Sequence, residues 1–359
     1  MAKAPDLHPP ASIVHHRLIL LAGPTAVGKS EIALRLAEQL GGEIISVDSM
    51  QVYRGLDIGT AKPSPADRAR VPHHLIDILD LTEAFDAAQF ARRAHRAAAE
   101  IRSRGRVPIL CGGTGLYFRA FLEGLGDAPS ADAKLRAELE ALPLEKLLAE
   151  LRECDPETYT RIDRKNPRRV IRAVEVIRLT GKPFSAQQSR WGEISSGSRG
   201  ADIPVRGFTG HSGPVSTEVG AVSPPPGLAT GKSPEPADKN LSLTDMIVFT
   251  RSPADLRARI NARVDAMFAH GLVQETRELL RRGLEQNQTA MQAIGYRQVA
   301  EHLRGERSRA ETVELVKIRT RQFARRQLTW FRARKSTEWM ELKPDEVLQE
   351  VARKIGGAI

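Results

Sequence analysis

The residues with the clearest chemistry are Gly23-Pro24-Thr25-Ala26-Val27-Gly28-Lys29-Ser30, which fit the pattern G-x-x-x-x-G-K-[ST]. Glycines there let backbone N–H groups curl round phosphate oxygens, and a helix starting behind them adds positive potential. Lys29 supplies a point charge, and the Ser30 hydroxyl can reach a magnesium ion. The setting suits such a loop. Arg17–Ala22 (RLILLA) is a short apolar run that reads as a buried parallel strand. Ile32, Ala33, Leu36, Ala37 and Leu40 then recur at helical spacing until Gly41-Gly42. A second Gly-Lys-Ser, at Gly231–Ser233, has neither the upstream spacing nor a preceding strand and is read as coincidence.

A phosphate loop leaves open what becomes of the phosphate. ATP hydrolysis needs a group to position water and a strand-end Asp for magnesium. Glu43–Val47 (EIISV) reads as a strand ending in an acid, Asp48, whereas the strand Val107–Cys111 ends in Cys-Gly-Gly. Groups at the carboxyl ends of adjacent strands in a doubly wound sheet share one crevice. Asp48 should therefore face whatever the loop holds, as a base, a turn cap or a magnesium ligand.

The elements that must position these groups follow strand, helix, strand, loop, helix, strand, which is the grammar of a parallel α/β sheet. One further helix is expected from Ala87 to Arg104, with Gly105 as its stop. From about Ala131 the pattern turns helical, with Asn166-Pro167 opening one helix and Gly181 closing it. The expected organisation is a loose tail over 1–16, the first part of an α/β core over 17–130 and a helical insertion over 131–190. A Gly-, Pro- and Ser-rich disordered loop follows over 191–241. The second part of the core, over 242–345, starts with the strand Thr244–Thr250; helices fill the remainder, and 346–359 is a terminal tail or helix. The last long helix, about Ala310 to Arg334, has Val316, Phe323 and Trp330 on an expected buried stripe. Its Arg319, Arg321, Arg325, Arg326 and Arg332 are left to line a cationic face.

A formal net charge of +10 favours a polyanionic partner. Two cysteines, Cys111 and Cys154, are too few and too far apart for a disulfide framework or a cysteine zinc site. No apolar run approaches the ~18 residues of a membrane span, and the first residues lack a signal-peptide core, so a cytoplasmic protein is expected.

The block Asp48-Ser49-Met50-Gln51-Val52-Tyr53-Arg54-Gly55-Leu56-Asp57-Ile58-Gly59-Thr60-Ala61-Lys62-Pro63 resembles the signature of bacterial tRNA dimethylallyltransferases, the isopentenyl-diphosphate:tRNA transferases. Further motifs agree in order: His73–Asp77, Gly112–Tyr117, Asn166–Val170, Ala293–Arg297 and Arg319–Trp330. The resemblance runs from about Leu18 to Trp339. It implies a P-loop NTPase-like parallel sheet flanked by helices, with a helical insertion, that has exchanged nucleotide hydrolysis for prenyl transfer. The Gly23–Ser30 loop would hold the diphosphate of dimethylallyl diphosphate with Mg2+, and the acceptor would be N6 of adenine 37 in tRNAs reading codons that begin with U. Two departures stand out. The stretch over 192–240 is longer than usual, and Pro253 stands where the family commonly has an Arg before the one matched to Arg259, leaving Arg251 to cover that role.

The resemblance gives Asp48 the part of general base on the amine, with Lys29 and Arg259 on the diphosphate. Thr114, on the Gly-rich turn, could position the same amine through its hydroxyl. Candidates on the RNA side are Asp48, Ser49, Met50, Gln51 and Thr114; Arg136; Arg168, Arg169, Val170, Ile171 and Arg172; and Gln292, Ala293, Ile294, Gly295, Tyr296 and Arg297. Tyr296 is expected to offer a stacking face and Arg297 a phosphate contact. The partner would be the anticodon stem-loop, read by a monomer. A small-molecule or nucleoside kinase would use the same loop but leaves the Asp48–Pro63 block unexplained. No Asn-Lys-x-Asp supports a GTPase-like switch.

Overall fold

The computed structural model describes residues 17–124, 129, 131–187, 242–243, 246–334 and 337–358. The tail over 1–16 and the whole segment over 191–241 lie outside these residues. The described residues fall into two compact units, one running up to Leu122 and resuming at 242, the other from Glu123 to 187.

In the first unit the strands are β1 Arg17–Ala22, β2 Glu43–Val47, β3 His73–His74, β4 Pro108–Gly112, β5 Ser242–Leu243, β6 Met246–Thr250 and β7 Thr337–Glu341. They form one parallel sheet in the order β3-β2-β4-β1-β6-β7, with β5 paired to the start of β1. Parallel strands are covered on both faces, so β1, β2 and β4 are buried almost throughout. The helices of this unit before the break are α1 Lys29–Leu40, α2 Pro65–Arg70, α3 Ala87–Ser103 and α4 Gly115–Glu123. In the second unit they are α5 Ala133–Glu140, α6 Leu144–Cys154, α7 Pro156–Arg161 and α8 Pro167–Thr180. The first unit then continues with α9 Pro253–Ala269, α10 Leu272–Arg281, α11 Tyr296–Leu303, α12 Arg309–Arg332 and α13 Leu348–Ala358.

The apolar row of α1 packs on Ile19, Leu21, Ile109 and Phe249 of the sheet, and Val351, Ala352 and Ile355 of α13 close the same core. The second unit has its own core of Leu139, Leu147, Leu151, Val170, Val174 and Ile177. Its longest helix, α8, begins at Asn166, whose side chain accepts from Arg169 N–H, and ends at Gly181 with φ +66°.

Three expectations need correction. β7 sits where only helices were expected; it lies at the sheet edge, and Thr337–Glu341 (TEWME) is too charged and too exposed to read as a strand. β3 is only two residues long and escapes any period-2 pattern. On α12 the buried line runs through Val316, Ala324, Gln327 and Phe331, with Phe323 and Trp330 half-buried on its flank. A row spaced by seven drifts round a straight helix by about 20° per step, so the line moves to neighbouring positions and puts a glutamine in its centre.

Candidate functional site

The sheet register brings three chain segments to one place. Ala22 of β1 and Val47 of β2 both lie level with Gly112 of β4, so Gly23, Asp48 and Gly113 leave the same end of the sheet. The approach is close: a Cβ on Gly112 would stand 2.1 Å from the Val47 carbonyl oxygen. Thr114 N–H then donates to that carbonyl at 3.3 Å.

Gly23 has φ +147°, and a Cβ there would sit 2.7 Å from the Phe249 carbonyl oxygen, so only glycine fits the start of the loop. Ala26 is held at φ +66°, in the left-handed region that a side chain rarely enters. Gly28 caps α1, and Lys29 begins it, with Nζ donating to the Pro24 carbonyl at 3.2 Å. Burial pushes the Lys29 pKa below its ordinary value; Arg263 adds to that, and Asp48 opposes it. Burial also pushes the Cys111 thiol up to about 11, which keeps it protonated and inert.

Three guanidiniums hold the outside of the loop. Arg251 Nε donates to the Val27 carbonyl at 2.7 Å, Arg259 Nε to the Ala26 carbonyl at 2.9 Å, and Arg263 Nη1 to Thr25 Oγ1 at 3.4 Å. Arg251 also pairs with Asp255 at 2.8 Å, whereas Arg259 and Arg263 have no acidic partner among the described residues. Burial lowers the pKa of both, and each feels a neighbouring arginine, Arg251 for the first and Arg259 for the second, with Asp255 opposing the shift at Arg259. A bound anion would relieve that repulsion. Pro253, at the departure from the family pattern, is the first residue of α9 behind the Ser252 cap, and the buried Arg251 reaches the loop instead.

Asp48 is fixed by its own turn: Oδ1 accepts from Met50 N–H at 2.8 Å and Gln51 N–H at 3.2 Å. Its second oxygen and the Thr114 and Ser30 hydroxyls make no hydrogen bond among the described residues. The Thr114 carbonyl accepts from Tyr117 and Phe118 N–H, so its backbone starts α4 while its side chain stays available. Among the described residues no three His, Cys, Asp or Glu side chains gather to hold a metal. The Ser30 hydroxyl, in the first turn of α1, is a single donor that suits a magnesium ion held mainly by phosphate oxygens.

The RNA-side candidates divide sharply. Gln51 is committed inward, accepting from Ser46 Oγ at 2.8 Å and donating to the Thr60 carbonyl at 3.2 Å. Ser49 and Met50 stay half-exposed. Tyr296 does not offer the expected stacking face: it is 0% exposed, its hydroxyl donates to Glu275 at 2.6 Å and accepts from Gly59 N–H at 3.0 Å. Ala293 and Gly295 are buried and Ile294 half-buried, while Gln292 and Arg297 are exposed, the latter paired with Glu301 at 3.1 Å. In the second unit Val170 and Ile171 are core residues rather than surface contacts. Arg136 and Arg172 both reach the buried Glu175, each at 2.7 Å. Arg168 and Arg169 are exposed with no ion-pair partner among the described residues. The Asp48–Pro63 block is largely structural, with Lys62 Nζ gripping Asp57, Asp77 and the Tyr53 carbonyl.

Sequence reasoning passed over Gln327 and Arg263. Arg263 carried one readable signal, its i+4 spacing from Arg259 on α9. Gln327 carried only its membership of the Arg319–Trp330 motif, lying among arginines on a helix read for its charge.

A parallel sheet with a glycine-rich anion loop after its central strand and a carboxylate two strands away defines a P-loop NTPase-like α/β protein. Comparison narrows the class: the IPP transferase family model matches residues 51–205 and 228–334. A tRNA dimethylallyltransferase of Halorhodospira halophila is 43% identical over 350 residues, covering 95% of this chain and 98% of the relative. One from Geobacter metallireducens is 42% identical over 345 residues, covering 93% and 96%. Among solved structures, the tRNA isopentenylpyrophosphate transferase of Bacillus halodurans superposes with a TM-score of 0.61 at 36% identity, covering 95% and 96%. A eukaryotic dimethylallyltransferase acting on tRNA shares the fold, with a TM-score of 0.65 at 24% identity, over 91% of this chain and 74% of that one. The chain belongs to the IPP transferase family and is an enzyme of the tRNA dimethylallyltransferase type. Among the described residues no helix is long and apolar enough to cross a membrane.

Proposed function

We propose that this chain transfers a dimethylallyl group from dimethylallyl diphosphate to N6 of adenine 37, beside the anticodon, in tRNAs reading codons that begin with U. The observation carrying this reading is the shared sheet end: loop, Asp48 and Thr114 leave neighbouring strands together, with one Asp48 oxygen and the Thr114 hydroxyl uncommitted.

The adenine N6 lone pair is delocalised into the ring, so the amine is a poor nucleophile. Asp48 removes its proton as the new C–N bond forms, help typically worth ~10²–10⁴ in rate. Thr114 orients the amine. The allylic C–O bond breaks on the other side, and negative charge gathers on the departing diphosphate. Lys29, the loop amides of Gly28–Ser30 and the arginines Arg259 and Arg263 are preorganised to receive it, commonly the largest contribution to such catalysis. Magnesium on Ser30 would supply further neutralisation of that charge. The adenine must leave the stack to arrive here, as enzymes acting on bases require. The partner is the anticodon stem-loop, met by a cytoplasmic monomer; Arg168 and Arg169 of the second unit are exposed cations suited to its phosphates.

The kinase reading shares the loop and differs in needing ATP. Incubation with unmodified tRNA and radiolabelled dimethylallyl diphosphate, without ATP, separates the two. Label in the RNA is expected; activity appearing only with ATP would falsify the transfer reading.

A further inference from the structure

A single side chain joins the anion loop to the turn that carries Thr114. Gln327 comes from the buried face of α12 and is 7% exposed. Its Oε1 accepts from Thr25 N–H at 2.9 Å, and its Nε2 donates to the Gly113 carbonyl at 3.0 Å. A neutral amide offers an acceptor and a donor side by side, which both contacts need. The bond takes the Thr25 amide away from any anion in the loop, so its use is internal. Gly113 leaves room for the bridge: a Cβ there would stand 2.2 Å from Gln327 Nε2. The Arg263 contact to Thr25 Oγ1 holds the same residue from the other direction.

We infer that Gln327 is a positioning residue, which clamps Thr25 to Gly113 and so sets the gap between the departing diphosphate and the Asp48–Thr114 pair. The inference rests on the transfer reading above. Gln327 touches neither the diphosphate nor the base, and it acts through the separation of the groups that do. Reacting groups displaced by about 1 Å can lose ~10² in rate without losing their binding contacts. A clamp of this kind therefore belongs to kcat.

Gln327→Met keeps the volume and removes both hydrogen bonds. Its kcat should fall about 10²-fold. Its affinity for inorganic diphosphate should change less than about threefold, because the charged contacts that dominate anion binding remain. Gly113→Ala, which pushes the amide aside and also crowds the Gly23 carbonyl, should lower kcat at least as far. Gln327→Glu supplies the signature. Protonated, the carboxyl has one donor and one acceptor and restores both bonds; ionised, it turns an acceptor on the Gly113 carbonyl. Burial against a carbonyl raises its pKa, so the restoring form grows as pH falls. The kcat of Gln327→Glu relative to wild type should rise about tenfold from about pH 8.5 to about pH 6, while the ratio for Gln327→Met stays flat.

The measurements are single-turnover transfer to tRNA across that range, diphosphate binding by calorimetry and a thermal melt of each variant. Gln327→Met with near-wild-type kcat, or parallel pH ratios for the Met and Glu variants, overturns the clamp and leaves the transfer reading standing. A wild-type protein that puts no label into tRNA ends both. Should the Met variant melt below the assay temperature, the pH ratio of the Glu variant decides alone.

Discussion

Arginine does two different jobs in the two units. At the sheet end Arg251, Arg259 and Arg263 are turned onto the loop backbone and the Thr25 hydroxyl, and among the described residues only Arg251 of the three forms an ion pair, with Asp255, which also acts on Arg259 from a distance. In the helical unit Arg136 and Arg172 are both consumed by one buried carboxylate, Glu175, while Arg168 and Arg169 stand in solvent. Cations crowded together without ion pairs of their own repel one another, and an arriving anion would relieve that repulsion. Cations paired to a buried acid are construction. Net charge alone, +10 over the chain, does not separate these cases.

The sharpest break of this comparison is Asp48→Ala. Turnover should fall about 10²–10⁴-fold, the value of a general base, with tRNA binding kept. Wild-type-like turnover would remove Asp48 from the chemistry. Next is Glu175→Ala, which strands two partly exposed arginines and an unpaired Asp132 N–H. Stability should drop by up to about 3 kcal/mol, the lower end for breaking a buried pair, read by thermal unfolding of the full chain. An unchanged melting curve would show that Glu175 is not what organises Arg136 and Arg172.

Asp77→Asn tests the construction of the signature block. Burial alone would raise the Asp77 pKa, but hydrogen bonds from Lys62 and Arg68 prevail and hold it below the ordinary carboxylate value. A depressed folded pKa contributes stability above the unfolded pKa and loses it as pH falls through the folded one. The variant should lose about 1.5–3 kcal/mol at neutral pH and show a shallower acid limb than wild type. Parallel acid limbs would count against the pairing. The smallest effect is for Arg168→Ala with Arg169→Ala. Weaker tRNA binding and a salt slope shallower by about 1.4, at ~0.7 per phosphate contact on single strands, are expected. An unaltered slope would make both arginines plain solvated surface.

Much of the sheet-end site was legible in the sequence. The anion loop, its strand and its helix were readable because a phosphate cradle demands glycine at fixed places and a parallel strand demands an unbroken apolar run. Asp48 was readable for a similar reason, as a strand-end acid beside that loop. The residues expected on the RNA side were less legible. Tyr296 looked like a stacking ring and proved to be a buried post between Glu275 and Gly59, because nothing local distinguishes a ring that faces solvent from one that faces a loop over two hundred residues away. Val170 and Ile171 share a motif with Arg168 and Arg169, yet a helix turns them inward by 3.6-residue geometry.

Sequence by itself determined the local chemistry: which residues can cradle phosphate, which acid ends a strand, where helices are capped. Each of those depends on neighbours within a few positions. The tertiary structure alone decided which cations stay unpaired, that β7 completes the sheet edge, and that Gln327 ties Thr25 to Gly113 across separations of 302 and 214 residues. Such contacts are set by how elements pack, and packing depends on the whole chain at once.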